Sequence, residues 1–346
     1  MKSYSSPAQI KVGVVGYGGA FNMGRQHLQE MRAAGMTPVA VAEVDATRLA
    51  AATQDFPGIG TYGSATEMLA RSEVDLVTVI TPHNTHARLG LEILGAGRHC
   101  VLEKPMAITT AECDALIATA RAQGVIVSTY HNRHWDGWIL KALDVVRSGA
   151  IGRVVRIDLH MGGHNQPHPW WRSSRSVSGG TLYDWGVHLL EYALQLIPSP
   201  ITEVAGYACE GHWAAQPGHP YPADANEDEA QLAVRFASGQ RVNLLISSID
   251  TTPERGVMKI TGTLGTHLID WMDYETTTAG PNGETHVIRG KCQPSEGHRF
   301  YENIAAHLTR GEPLVITGEW ARRPIHILDL AVQSARQSRA LPAVHT

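Results

Sequence analysis

Long apolar runs, clustered cysteines and blocks of like charge are all missing from this 346-residue chain. No stretch approaches the roughly 20 apolar residues needed to cross a bilayer. No positively charged start leads into an apolar core, as a secretory leader would require. A membrane partner is therefore not expected, and cytoplasm is the expected location. The four cysteines, Cys100, Cys113, Cys209 and Cys292, are scattered without a CxxC pair, which argues against a disulfide framework and suits reduced thiols. The formal net charge is −4 and no run of Lys and Arg occurs, so nucleic acid and anionic surfaces find little to hold. The first nine residues are short and polar and read as a loose tail. Hydrophobic residues make up 43% and charged residues 18%, a globular composition in a chain long enough for two domains.

The apolar pattern changes character partway along. IKVGVV (from Ile10), PVAVAEVD, VDLVTVI (Val74 to Ile80), HCVL (His99 to Leu102) and VIVSTY are apolar almost throughout. Helical spacing separates them at Met23–Ala34, Arg48–Gln54, Ala87–Leu94 and Ala111–Ala122. Buried strands alternating with helices predict a parallel sheet covered on both faces. From about Tyr130 the strands VVRIDLHM, QLAVRFA, RVNLLISSI and VMKITG alternate apolar and polar residues instead, as antiparallel strands do. Helices are expected at Trp138–Ser148, Thr181–Ile197, Arg299–Leu308 and Trp320–Gln337. The fold expected is α/β: an N-terminal dinucleotide-binding domain over 1–130, then an α+β domain over 131–346 with a large, mostly antiparallel open sheet. The C-terminal helix is a candidate to pack back on the first domain.

Gly16-Tyr17-Gly18 stands where the first strand should turn into the first helix, the place where glycines let a pyrophosphate approach a helix N-terminus. The third glycine of GxGxxG would fall at Phe21. The stretch GYGGAFNMGRQH carries an apparent insertion, with Asn22 in it and Gly24 able to supply the close packing. Glu43 ends the second strand, where a carboxylate binds both ribose hydroxyls and repels a 2′-phosphate. This points to NAD in preference to NADP. Asp45 fits a helix cap equally well.

Three further patterns follow expected strand ends or paired glycines. They are Glu103-Lys104-Pro105, the loop Thr81-Pro82-His83-Asn84-Thr85-His86, and Gly179-Gly180-Thr181-Leu182-Tyr183-Asp184-Trp185-Gly186-Val187-His188. Strand carboxyl ends face the ligand crevice of a parallel sheet. Together these patterns resemble the Gfo/Idh/MocA family, the glucose–fructose oxidoreductase and inositol dehydrogenase group. The resemblance runs almost continuously over the first half and through His188; beyond about Pro200 it rests on the strand pattern. It implies a Rossmann domain and a second domain on a large, mostly antiparallel sheet. It also implies that Lys104, Asp184 and His188 are catalytic, that Glu43 is the acidic cofactor residue, and that the chain is a homodimer or homotetramer. The lengthened glycine loop departs from the family pattern.

The residue chemistry agrees. Alcohol oxidation removes a hydroxyl proton as hydride leaves the same carbon, and an imidazole titrating near neutrality suits that transfer at His188. Asp184, one turn earlier, faces the same side and can orient the ring or hold a substrate hydroxyl. Lys104 places a cation where alkoxide character develops. Gly16, Tyr17, Gly18, Phe21, Asn22, Glu43, Thr81, Pro82, His83, Asn84, His86, Glu103 and Lys104 are the expected cofactor residues. His86 could equally cap a helix.

Substrate contacts are expected from Lys104, Asn132, Arg133, His164, Trp170, Trp171, Arg172, Asp184 and His188. Arg133 could instead brace a hinge. The loop from His160 to Arg172 offers indole faces for sugar rings and polar groups for hydroxyls. A zinc site from His160, His164 and His168 is not expected, because the glycines and prolines there rule out a helix and no further ligand accompanies them. The leading function is an NAD(P)-dependent dehydrogenase for a sugar, polyol or sugar derivative. Two alternatives stand beside it: a glycosidase or lyase that uses the same residues to oxidise its sugar transiently and recycles NAD, and a non-catalytic sugar or dinucleotide sensor, against which the joint presence of Lys104, Asp184 and His188 counts.

Overall fold

Strands that are apolar on both faces need a layer of helix on each side, and the N-terminal part of the chain folds that way. A computed structural model describes residues 3–18 and 22–343. It packs as two compact units, Met1–Asn132 with His298–Arg322, and Arg133–Gly297 with Arg323–Thr346. The first unit holds six parallel strands: β1 (Lys11–Val15), β2 (Thr37–Ala42), β3 (Gly60–Tyr62), β4 (Leu76–Val79), β5 (His99–Leu102) and β6 (Val127–Thr129). Their order is β3-β2-β1-β4-β5-β6, so the winding reverses at β1/β4, where open sheets of this kind bind ligands. The helices are α1 (Met23–Ala33), α2 (Ala46–Asp55), α3 (Ala65–Arg71), α4 (His86–Gly95) and α5 (Thr110–Gln123).

Local chemistry sets the helix ends. Asp45 caps α2 by accepting from the amides of Thr47 and Arg48. Thr109 and Glu112 close a reciprocal capping box on α5, and Gly124 ends it in the left-handed region at φ 64°. The short β3 and α3 escape a periodicity reading, because three and seven residues are too few to show a repeat. The N-terminal segment is not a loose tail: Pro7–Gln9 forms a 3-10 turn and Tyr4 is buried beside the His99 ring.

The second unit contains α6 (Gly137–Arg147), β7 (Val154–Gly162), α7 (Arg175–Ser178), α8 (Leu182–Leu196) and β8 (Ile201–Cys209). It continues through β9 (Glu229–Phe236), β10 (Arg241–Ser247), β11 (Met258–Gly262), β12 (Gly265–Asp270), β13 (Asp273–Ala279) and β14 (Thr285–Lys291). The helix α9 (Arg299–Arg310) belongs to the first unit. Helix α10 (Gly318–Gln337) starts in the first unit and continues in the second, and β15 (Leu341–Pro342) ends the sheet. The nine strands run β14-β13-β12-β11-β7-β10-β9-β8-β15. Only the β7–β10 pair is parallel among them. The expected strand VVRIDLHM is β7, which runs through Gly162, so the loop begins after His160 and Met161 and not at His160.

Helix α8 seats on this sheet through a glycine, since a Cβ on Gly186 would stand 3.1 Å from Leu244. Helix α10 comes closer still. A Cβ on Gly206 of β8 would be 2.1 Å from the Ala331 carbonyl oxygen, and Ser334 Oγ accepts from the Gly206 amide at 2.9 Å.

Two glycines with similar backbone angles separate conformational cost from crowding. Gly16 has φ 91° and a Cβ there would lie 2.2 Å from the Ile80 carbonyl oxygen, whereas Gly58, at φ 88°, opens onto free space. Gly58→Ala should cost about 1–2 kcal/mol, the left-handed penalty alone. Gly16→Ala should cost clearly more, read as the difference in urea midpoints.

Candidate active site

The carboxyl ends of the parallel strands carry the candidate cofactor residues of the first unit. After β1 the backbone turns at Gly16, whose amide donates to the Ala42 carbonyl at 2.8 Å. Gly24 lets α1 press onto that turn, as a Cβ there would stand 2.6 Å from Tyr17 Cα. Gly18 passes beneath the Arg48 side chain. Asn22 precedes α1 in the left-handed region at φ 50°. Phe21, expected at the third glycine position, lies outside the described residues.

Glu43 is buried and accepts from three amides: Tyr17 at 2.9 Å, Val44 at 2.7 Å and Asp45 at 3.1 Å. Burial pushes its carboxyl up, but these hydrogen bonds outweigh burial and hold it below the usual range. Tyr17 enters through its amide. Its ring is buried and its hydroxyl donates to Asp55 at 2.6 Å, so the side chain belongs to the scaffold.

The loop after β4 is held by its own hydroxyls. Thr81 and Thr85 share a hydrogen bond of 2.6 Å, Thr85 donates to the Pro82 carbonyl, and His83–Thr85 form a 3-10 turn. His83 is buried and Asn84 exposed. His86 was an expected cofactor residue. It is fully buried, with Nδ1 2.8 Å from the Pro105 carbonyl and Nε2 2.9 Å from that of Thr81. It ties the two loops together, and no face of it is left for a ligand.

Lys104 follows β5, half-buried, with a cis bond to Pro105. Beside it Glu103 accepts from the Lys104 amide at 2.9 Å through one oxygen, and its other oxygen is 3.0 Å from His27 Nε2. His27 is a site residue that the sequence reading missed. Its only signal is a histidine on the apolar stripe of α1, with Gly24, Leu28 and Met31.

In the second unit α8 carries Asp184 and His188 one turn apart. Arg172 Nη1 donates to Asp184 Oδ1 at 2.6 Å. Its guanidinium also stands over the rings of Trp170 at 5.1 Å and Trp171 at 5.2 Å. Trp170, Trp171, Arg172 and Asp184 are thus brought together, while His164 packs against Trp213 and His212. His188 is buried beside the Trp185 ring at 5.6 Å. Trp185 in turn meets Trp271, which sits at a hairpin tip with φ 53°. Tyr183 is core.

Arg133, expected at substrate, is engaged otherwise: it pairs with Asp136 at 3.1 Å and lies over Trp185 at 4.8 Å. Asp136 also accepts from Tyr192 at 2.6 Å. Arg133 therefore braces α8. Asn132 opens a 3-10 turn and is half-buried. Among the described residues no group of three or more His, Cys, Asp or Glu is placed to hold a metal ion.

A glycine turn at the switch point of a parallel sheet, with a carboxylate at the end of β2, defines a dinucleotide-binding α/β oxidoreductase. The chain belongs to the Gfo/Idh/MocA oxidoreductase family: residues 10–131 match the family's NAD-binding Rossmann fold and residues 139–272 its C-terminal domain. It is 25% identical over 357 residues to scyllo-inositol 2-dehydrogenase (NADP(+)) IolW of Bacillus subtilis, covering 97% of this chain and 96% of that one. Among solved structures it resembles an NAD-binding protein from Listeria innocua, with TM-score 0.82, 24% identity and 98% of both chains covered. It also resembles levoglucosan dehydrogenase in complex with NADH, with TM-score 0.80, 19% identity, and 97% and 100% covered. No helix among the described residues is long and apolar enough to cross a membrane.

The Arg172–Asp184 contact is a charge-assisted hydrogen bond on a cation already flanked by indoles. A double-mutant cycle of Arg172→Leu and Asp184→Asn should give a coupling of about 1–3 kcal/mol in urea unfolding. Coupling near zero would mean the pair is not formed in solution.

Proposed function

We propose that this chain oxidises a secondary alcohol carbon of a sugar, polyol or sugar derivative, with NAD as hydride acceptor. One observation carries the reading: on α8, Asp184 is held at 2.6 Å by Arg172 one turn before His188. Neighbouring hydroxyls of a polyol call for such a fixed acceptor beside a base. The residues present fit the dinucleotide: the chain turns at Gly16, at φ 91° and against the Ile80 carbonyl where no side chain fits, and Glu43 at the end of β2 accepts from the Tyr17 amide of that turn. Gly16, Gly18 and Glu43 would hold it, with the loop from Thr81 to Asn84 on the nicotinamide side. Nicotinamide, when bound, supplies the hydride acceptor.

Everything else falls to the chain. His188 takes the hydroxyl proton, with its ring oriented by packing on Trp185. Asp184 binds a second hydroxyl and is itself kept in place by Arg172. Lys104 stabilises the negative charge that develops on the alcohol oxygen. Trp170 and Trp171 offer faces to the apolar side of a sugar ring. The relatives named for inositol and levoglucosan support a neutral polyol or anhydrosugar as substrate. We further propose a homodimer or homotetramer, since the nine-stranded sheet exposes Tyr207 and Ile288, and the β11–β12 turn exposes Leu264.

NADH formation by absorbance, across inositols, aldoses and anhydrosugars, tests the activity. One substrate class should give steady NADH, and Lys104→Ala and His188→Ala should each lower kcat by roughly a hundredfold or more. Cofactor binding without any NADH in the whole panel would overturn net oxidation, in favour of NAD-recycling elimination or of sensing. For the cofactor, Glu43 should give NAD at least about tenfold higher kcat/KM than NADP by repelling a 2′-phosphate. Equal values would sink that assignment.

A further inference from the structure

Behind the Lys104 loop lies a line of buried polar groups that the proposed chemistry does not use. Thr78 on β4 and Tyr301 on α9 share a hydrogen bond of 3.0 Å. Tyr301 Oη is 2.7 Å from His27 Nδ1, and His27 Nε2 is 3.0 Å from Glu103 Oε1. Thr78, His27 and Tyr301 are at most 1% exposed. Tyr130 packs its edge on the His27 ring at 4.2 Å. Such groups would be costly to bury without partners, so their order carries information.

The protons can be counted. Burial holds the Tyr301 phenol well above its usual range, so it keeps its single proton. If Thr78 donates to Tyr301, Tyr301 donates to Nδ1, and Nε2–H donates to Glu103. The Lys104 amide then donates to the other Glu103 oxygen at 2.9 Å. Each proton is used once and each acceptor is filled. The opposite direction would leave the Thr78 hydroxyl only Met31 Sδ, at 3.9 Å, and would demand two protons on His27.

We propose that His27 and Tyr301 are positioning residues for Lys104: the chain Thr78–Tyr301–His27–Glu103 runs in one direction, with His27 as the Nε2–H tautomer, and fixes the Glu103 carboxylate against the Lys104 main chain. Helix α9, remote in sequence, thereby reaches the Lys104 main chain through three hydrogen bonds. The functional part of this inference rests on the reading that Lys104 serves catalysis. The hydrogen-bond chain itself does not.

The groups facing Glu103 set how it responds to pH. They are His27 from α1, Tyr301 from α9, Tyr130 after β6, His86 from α4, and Lys104 beside it, with Glu30 of α1 on the Tyr130 hydroxyl. Burial pushes the Glu103 carboxyl up. The hydrogen bond from His27, with the charge and amide of Lys104, outweighs burial and leaves it below the usual range. Without His27 the carboxyl rises, so the acid limb of a rate that needs its anion moves to higher pH.

The test compares Tyr301→Phe, His27→Leu and His27→Gln with the unaltered protein, taking Ile304→Val as a purely structural control in the buried face of α9. Long-range proton–nitrogen NMR should show His27 as the Nε2–H tautomer, and an imidazolium or Nδ1–H form would overturn the direction of the chain. Carbamylation of Lys104 by cyanate, followed by peptide mass spectrometry, should change in rate in Tyr301→Phe and His27→Leu but not in Ile304→Val. With the polyol that supports NADH formation, kcat should fall roughly tenfold to a hundredfold in both and KM should change little. The acid limb should move up in His27→Leu, and His27→Gln, which restores a donor toward Glu103, should recover much of the loss. If Lys104→Ala abolishes turnover but these variants match Ile304→Val, positioning is wrong and the proposed chemistry stands. If Lys104→Ala is itself active, that chemistry falls, and the NMR result still decides the chain of hydrogen bonds.

Discussion

A carboxylate taken out of water must be met by donors, or the structure that buries it fails. Glu103 stands at the carboxyl end of β5, beside the lysine to which the chemistry is assigned, and accepts from His27 and from the Lys104 amide. Satisfying it constrains much of the first unit. His27 has to be on the inward face of α1, so the glycine turn, which sets where α1 begins, also sets where His27 points. The ring then needs a partner on its other nitrogen, and that partner, Tyr301, comes from a segment more than 270 residues later. This explains why residues 298–322 pack with the first unit. A boundary drawn at 130/131 follows the change in strand pattern, whereas the packing follows the buried polar groups.

In the second unit a half-exposed carboxylate, Asp184, is met by a cation. Arg172 presents its guanidinium to two indoles and donates to Asp184. Arginine suits this place because a planar, weakly hydrated cation stacks on aromatic faces while its edge still donates. Behind α8 a second group, Arg133, Asp136 and Tyr192, fixes the helix from its other side. Asp184 and His188 are therefore presented by a helix braced at both ends by hydrogen-bonded charge. The loop that supplies Trp170 and Trp171 is tied to the same aspartate.

What could be read from the chain follows from the length of each signal. Strands such as VDLVTVI and helices such as Arg299–Arg310 repeat their pattern often enough to be placed within a residue or two. Gly16, Glu43, Lys104, Asp184 and His188 stand at strand ends or on one helix face, which local spacing reveals. Local spacing does not reveal partners far apart in sequence. Nothing near His27 points to Glu103 or Tyr301, and nothing near Trp185 points to Trp271. For the same reason residue type and position leave both a ligand contact and a structural role open to His86 and Arg133, and the structural partners, the Pro105 and Thr81 carbonyls for His86 and Asp136 and Trp185 for Arg133, lie far off in sequence or around a turn. The N-terminal tail was misread because one buried aromatic, Tyr4, outweighs its polar neighbours.

Glu43 shows how structure and cofactor preference are joined in one residue. Its three amide donors come from both sides of the crevice, from the glycine turn at Tyr17 and from the chain after β2. The amides engage both carboxylate oxygens, and a glutamine there would offer one acceptor and turn its NH2 on the rest, so the negative charge is held in place by the fold as much as by any ligand. Arg48 is the nearest cation that could offset it for a 2′-phosphate. It already stands 3.8 Å from Glu43 and 3.7 Å from Asp45. A guanidinium shared by two carboxylates has little attraction left for a third anion, which supports NAD. The relative named as NADP-dependent shows that the family accommodates the phosphate. In this chain, doing so would mean freeing Arg48 from Asp45, and Asp45 is also the cap of α2. Asp45 divides these roles between its oxygens, Oδ1 capping α2 and Oδ2 facing Arg48, so the helix start and the hold on Arg48 sit on one side chain.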